Sequence, residues 1–184
     1  GTPGFEIAER IDVIAPHPLA RLRFTRCRIP ATQRVGAAGE GFKVAMRTLD
    51  VFRTVLDVRR THGVEAIGLY IISMSRSAAD ALAPLALARI AGCTEGGQVP
   101  LDIAPLFETI DDLHAAPEVM RALFEDPAYR RHLATRRDEQ TVMLGYSDSA
   151  KDGGLFASRW ALQRTQVALT ELAGAHGVRL MFFH

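Results

Sequence analysis

Cysteine is nearly absent from these 184 residues: there are two, Cys27 and Cys93, far apart, in no CxxC pair and beside no histidine at ligand spacing. That pattern excludes a disulfide framework and gives no zinc signal, so both thiols are expected to be reduced and packed. Net charge is scarce as well. Twenty-two basic side chains against 21 acidic ones leave +1, which provides no electrostatic reason to expect nucleic acid or a membrane surface as partner, while a small anionic substrate stays open. Long apolar runs are missing too. Nothing approaches the roughly 18 consecutive apolar residues of a membrane span, and no basic-then-apolar leader opens the chain, so a cytoplasmic location is expected. What is present, 48% hydrophobic and 23% charged residues, is the composition of a globular chain able to bury a core. It begins at Gly1 rather than Met and stops after the apolar run Leu180-Met181-Phe182-Phe183, so both ends read as truncated.

Along the chain the hydrophobic period changes twice. Phe5, Ile7, Ile11 and Val13 alternate with polar neighbours, Pro16-His17-Pro18 marks a turn, and Leu22 and Phe24 alternate with Arg21 and Arg23 until Pro30, which predicts an antiparallel strand pair within residues 5–29. After a glycine-rich link at Gly36 to Gly41, Phe42, Ala45, Met46, Leu49, Phe52 and Leu56 recur every three or four residues, as in an amphipathic helix ending near Gly63. Strand-like segments then follow at Leu69–Met74, Ile103–Glu108, Val142–Ser147 and Arg179–His184, about 35–40 residues apart. Between them lie helix signals. Ser77-Ala78-Ala79-Asp80 forms a capping box for a helix closed by Gly92, Asp126-Pro127 is an N-cap with proline at the first helical position, and Leu155 to Ala175 carries Leu155, Trp160, Leu162, Val167, Leu169 and Leu172 on its expected buried side. The order βαβαβαβ predicts an α/β fold with parallel strands and right-handed crossovers. A doubly wound sheet and part of a barrel both satisfy it.

The carboxyl ends of these strands are polar, which favours the barrel, where reactive groups gather at those ends. The first ends in Ser73, the second in Glu108, the third in Ser147-Asp148-Ser149 with Lys151 beyond, and the fourth in His184. Glu108 and Asp148 could supply oxygen ligands to Mg²⁺, which takes few protein ligands and keeps waters. Lys151 could balance a phosphate or an enolate, and His184 could hold a phosphate or move a proton. Each has a plainer reading: the two carboxylates as helix caps, Lys151 as a solvated charge, His184 as a packing residue, and Ser73-Met74-Ser75 as a turn.

Taken together, Tyr70-Ile71-Ile72-Ser73-Met74, Pro105-Leu106-Phe107-Glu108-Thr109-Ile110 with Asp111-Asp112-Leu113, and Gly145-Tyr146-Ser147-Asp148-Ser149-Ala150-Lys151-Asp152-Gly153-Gly154 resemble phosphoenolpyruvate carboxylases, in the same order. The likeness runs from about Val51 to His184 and includes Arg60-Thr61-His62-Gly63 and Glu65-Ala66-Ile67-Gly68. It implies a partial (β/α)₈ barrel of an enzyme that joins phosphoenolpyruvate and bicarbonate to give oxaloacetate and phosphate with Mg²⁺ or Mn²⁺. By the same resemblance Glu108 and Asp148 match metal ligands, and Lys151 and His184 match catalytic residues. The loop arginines that follow the histidine in that family, a second histidine and the later helices are not in this sequence.

Residues from Gly1 to about Thr54 resemble acyl-CoA dehydrogenases, notably in Gly4-Phe5-Glu6-Ile7, Arg28-Ile29-Pro30, Gly39-Glu40-Gly41-Phe42 and Leu49-Asp50-Val51-Phe52-Arg53-Thr54. The flavin-contacting strands and the catalytic carboxylate of that family lie outside the segment, so no flavin is expected. Two pieces follow, residues 1–50 and 51–184, joined near 49–54 where both families accept a similar sequence. A chimera of this kind, with half a barrel exposing two strand edges, is expected to self-associate.

Overall fold

A computed structural model describes residues 4–11, 19–27 and 41–184, and the chain divides into two compact units, Gly1–Met46 and Arg47–His184. In the first, β1 (Phe5–Ile11) and β2 (Leu19–Phe24) pair antiparallel from Phe5↔Phe24 to Ile11↔Leu19, with an irregularity between Ile7 and Glu9. The Phe5 and Phe24 rings meet at 5.3 Å and Arg23 donates to Glu6 at 2.8 Å. This is the expected strand pair. The turn at Pro16–Pro18, Pro30 and the link at residues 36–40 lie outside the described residues.

Helix α1 (Gly41–His62) carries Leu49, Phe52 and Leu56 into the core of the second unit, as their spacing predicts, together with Val55. The side chains of Phe42, Ala45 and Met46 are outside the described set. Arg59, Arg60 and His62 face the carbonyl end of the helix dipole, and Gly63, at φ +99°, ends it by donating to the Arg59 carbonyl at 3.0 Å.

The second unit is built on β3 (Leu69–Ile72), β4 (Asp102–Phe107), β5 (Glu139–Leu144) and β6 (Arg179–Phe183), all parallel and adjacent in chain order. No strand order reverses within the sheet, which is the sequence of neighbours in a (β/α)₈ barrel and not that of a sheet wound outward in both directions. The fold is a partial barrel. Its strands are linked by α2 (Ala78–Ile90), by α3 (Ile110–Glu125) with α4 (Pro127–Thr135), and by α5 (Tyr146–Gly153) with α6 (Leu155–Ala175). One face of the sheet, including Ile103, Phe107, Val142 and Leu144, is buried under these helices. Ile71, Met181 and Phe183 lie on the other, inner face of the barrel and remain exposed.

Local chemistry explains the helix starts. Ser77 and Asp80 form the expected capping box, and Asp126 accepts from the backbone N–H groups of Ala128 and Tyr129 at 2.8 and 2.9 Å with Pro127 at the first position. Under α4, Tyr129 and Gln140 are both buried. The Tyr129 hydroxyl donates to Gln140 Oε1 at 2.8 Å, and Gln140 Nε2 donates to the Ile103 carbonyl at 2.9 Å, so helix and sheet are joined without an orphaned polar atom in the pair.

Two expectations need correction. The third strand ends at Leu144, not at Ser147, because the chain turns into α5 at Gly145. The buried side of α6 is also not the one expected: Leu162, Leu169 and Leu172 are buried, but Leu155, Trp160 and Val167 are 62%, 64% and 51% exposed. The small residues Ser158, Ala161, Thr165 and Ala173 share the buried stripe, letting α6 approach α3 closely enough for Thr165 to donate to the Leu113 carbonyl at 2.8 Å. Close approach, not side-chain size, selects that face.

Candidate functional site

Parallel strands in chain order bring the carboxyl ends of β3 to β6 to one edge of the sheet. Ser73 and Met74 form a turn there, with Met74 at φ +52°. Glu108 follows β4 directly. Gly145 leaves β5 so close to it that a Cβ on Gly145 would stand 2.9 Å from Glu108 Cα, and its N–H donates to the Phe107 carbonyl at 2.8 Å. The glycine is required by contact with backbone, since its own φ of −80° is open to any residue.

That tight turn starts α5, which carries Ser147, Asp148, Ser149 and Lys151 as helical residues. Asp148 and Lys151 are one turn apart on one side, with Lys151 Nζ 3.6 Å from Asp148 Oδ1. Ser149 is turned inward and fully buried, donating to the Gly145 carbonyl at 2.6 Å with its Oγ 2.8 Å from Ser158 Oγ. It fastens α5 to α6.

The plainer reading of Glu108, as a helix cap, does not fit. Thr109 caps α3, accepting from Asp112 N–H at 3.0 Å while the Asp112 carboxylate accepts from Thr109 N–H at 3.1 Å. The N–H of Ile110 goes to Asp152 at 2.9 Å. Glu108 is therefore left free of capping, half-buried, and its pKa is raised, first by burial and then by the charges of Asp148 and Asp112, against a hydrogen bond from the Met74 backbone. Asp112, buried beside it, moves the other way: burial opposes its charge, but hydrogen bonds from Thr109 and the nearby Arg76 outweigh that and hold the carboxyl below its ordinary range. Arg76 Nε stands 3.4 Å from Asp112 Oδ1.

A pair of mutually repelling carboxylates, one partly desolvated, suits a divalent cation that neutralises both. Among the described residues no group of three or more His, Cys, Asp or Glu is placed to hold a metal ion by itself; two carboxylates alone are oxygen donors of the kind Mg²⁺ or Mn²⁺ accepts when water and substrate oxygens complete its shell. His184, at the end of β6, lies against the Tyr146 ring, with centroids 4.5 Å apart. Glu108 and Asp148 thus come together, Asp148 and Lys151 come together, and His184 joins the same edge through Tyr146. Arg76 and Tyr146 were not singled out from the sequence. Arg76 stands three residues after Ser73, within reach of the same strand edge, and Tyr146 adjoins Ser147.

The opposite edge of the sheet is also charged, but its groups are matched. Arg59, buried, donates to both oxygens of Glu95 and to the carbonyls of Val64 and Ile67, and Arg136 donates to Asp102. The Arg179–Glu139 pair joins β6 to β5 on that side. This network holds the amino ends of the strands in place.

Comparison with known proteins gives a consistent picture. Residues 36–184 match the family profile described as phosphoenolpyruvate carboxylase. A phosphoenolpyruvate carboxylase of Xanthomonas euvesicatoria pv. vesicatoria is 58% identical over 135 residues, covering 73% of this chain and 15% of the relative. Those of Methylorubrum extorquens and Mycobacterium avium are 48% and 43% identical over 144 and 154 residues, covering 76% and 82% of this chain and 16% of each relative. The chain therefore spans about 15% of the length of the first of these. The dehydrogenase likeness finds no support in these comparisons. The profile match, beginning at residue 36, takes in two of the segments that carried it, Gly39–Phe42 and Leu49–Thr54.

Proposed function

This chain belongs to the phosphoenolpyruvate carboxylase family, and from that membership we propose that its four parallel strands form the metal-binding half of a carboxylase barrel, acting on phosphoenolpyruvate and bicarbonate to give oxaloacetate and phosphate. The observation that supports the proposal is the pair Glu108 and Asp148, close enough at the carboxyl ends of the strands for the charge of Asp148 to raise the pKa of Glu108, with Glu108 relieved of capping by Thr109, Asp112 and Asp152. Both carboxylates would hold Mg²⁺ or Mn²⁺, whose charge supports oxygen anions that develop during phosphoryl transfer.

The roles of the protein groups follow from chemistry and position. A bicarbonate oxygen attacks phosphorus and the bond from phosphorus to the enol oxygen breaks, giving carboxyphosphate and an enolate. The carboxyphosphate gives up its proton and splits at the bond between its carbon and the bridging oxygen into carbon dioxide and phosphate, and the enolate carbon then forms the new bond to carbon dioxide. Lys151, beside Asp148, offers its ammonium hydrogens to the substrate's anionic oxygens. His184 holds the phosphoryl group or its proton at the end of β6. Arg76 adds a second positive group over Asp112, keeping that carboxylate from repelling the substrate.

The isolated chain has a second reading, as a catalytically silent folded piece. Its short coverage of the relatives favours this, as do the edge strands β3 and β6 and the exposed apolar residues Leu155, Phe156 and Trp160. Such surface favours self-association. A cytoplasmic place accords with the carboxylase reading, and among the described residues no helix is long and apolar enough to cross a membrane. A separate origin for residues 1–50 remains a proposal, tested by comparing the encoding DNA with intact carboxylase genes. For the site, calorimetry with Mn²⁺ and then phosphoenolpyruvate should show metal-dependent binding that E108Q and D148N each abolish; binding unchanged in both variants would defeat the assignment.

A further inference from the structure

Tyr146 has no role in the scheme above, yet it is the residue on which three separate elements meet. It is the first residue of α5, fixed there by the Gly145 to Phe107 hydrogen bond. Its hydroxyl accepts from Gln166 Nε2 on α6 at 3.1 Å, and the Arg159 guanidinium, also on α6, lies over its ring at 5.2 Å from the centroid. The ring is thereby held at its backbone, at its hydroxyl and over its π system. Against it rests the imidazole of His184, with centroids 4.5 Å apart and planes inclined by 32°.

We propose that Tyr146 is a positioning residue for His184: its anchored ring is the platform that places the imidazole beside the helix carrying Asp148 and Lys151. Aromatic contact at this separation favours a defined ring orientation without consuming either imidazole nitrogen, so both remain available to a phosphate or a proton. The platform also explains why an exposed residue at a strand end can act reproducibly: α5 supplies both the metal-side carboxylate and the surface against which the histidine is set. The role rests on His184 taking part in the proposed reaction, whereas the contact itself can be tested alone.

The test uses this 184-residue chain and NMR of histidine ring protons, with H184Q identifying the signal of His184 among the six histidines. Stacked on Tyr146, the His184 protons should be shifted upfield by the ring current. Y146F should keep that shift and Y146L should lose it, while the remaining amide spectrum stays dispersed. If Y146L does not fold, nuclear Overhauser contacts between the Tyr146 and His184 ring protons of the wild-type chain, expected at a centroid separation of 4.5 Å, decide the matter. An unchanged His184 signal in the folded Y146L chain, or the absence of those contacts where Y146L fails, overturns the platform.

Adding phosphoenolpyruvate with Mg²⁺ should then perturb the His184 signal in wild type and Y146F, and much less in Y146L. Equal perturbation in Y146L overturns the positioning role. No perturbation in wild type defeats the participation of His184 in the carboxylase reading, while the platform is still decided by the ring-current shift.

Discussion

Replacing Gly145 by alanine should damage stability and the site together. The added Cβ would sit 2.9 Å from Glu108 Cα and 3.3 Å from the carbonyl oxygens of Glu108 and Phe107. All three neighbours are backbone, so no side-chain rotation relieves the clash. Either the end of β4 retreats or α5 tilts, and both stretch the 2.8 Å bond from Gly145 N–H to the Phe107 carbonyl. Overpacking of this kind costs about 1–3 kcal/mol, and weakening one hydrogen bond adds about 0.5–1.5 kcal/mol. A total near ~3 kcal/mol lowers Tm by about 6–12 °C for a chain of this size. Because the displaced groups are Glu108 and the helix bearing Asp148, Mn²⁺ affinity should fall at least about tenfold, the equivalent of ~1.4 kcal/mol. Thermal denaturation followed by circular dichroism gives the first quantity and a Mn²⁺ titration the second. Gly174→Ala is the control: it lies inside α6, where a Cβ meets nothing within 4 Å, and should stabilise by about 0.5–1 kcal/mol. A G145A protein as stable as G174A would refute the argument that close backbone contact sets this turn.

Three further outcomes follow from charges held in the fold. Glu108 has a raised pKa, so the folded state binds its proton more tightly than the unfolded chain does, and stability falls as pH rises from the ordinary glutamate range through the raised value. Glu108→Gln should therefore be more stable than wild type at pH 7 in the absence of metal, with the advantage fading in acid, and Mg²⁺ should stabilise wild type alone; denaturant midpoints against pH measure both. His132 is buried and its pKa is lowered to about 4, chiefly by burial, so the unfolded chain takes up the proton first as pH falls from 6.5. Up to ~3 kcal/mol of stability is lost over that window, and His132→Asn should flatten this part of the pH profile. Arg59→Met leaves Glu95 and the carbonyls of Val64 and Ile67 without their donor; Glu95 is solvated, at 39% exposed, so the loss is that of the unpaired carbonyls, about 1–3 kcal/mol. Hydrogen exchange should accelerate at residues 63–68, and unchanged protection there would count against the buried Arg59 guanidinium as the clamp of that loop.

How much of this was legible in the sequence depends on whether a signal was local. Capping residues and hydrophobic period are local, so Ser77 with Asp80, Asp126 with Pro127, and the bounds of α6 could be read directly, as could the parallel sheet from the spacing of its strands. The start of α5 could not. Gly145 is a turn residue because Glu108, 37 positions earlier, occupies the space its side chain would need, and no window along the chain contains that contact. The same holds for the buried side of α6: Trp160 and Val167 have the hydrophobicity of core residues, but the stripe of Ser158, Ala161 and Thr165 permits the close approach that the larger residues would prevent. Site residues divide in the same way. Glu108 and His184 directly after their strands, and Asp148 and Lys151 on the short helix that follows β5, are polar groups that stand out by type, whereas Tyr146 looks like one more half-buried aromatic until β6 is folded beside α5. Residues that carry charge announce themselves in sequence; those that set distances between charges are visible only where the fold brings separate segments together.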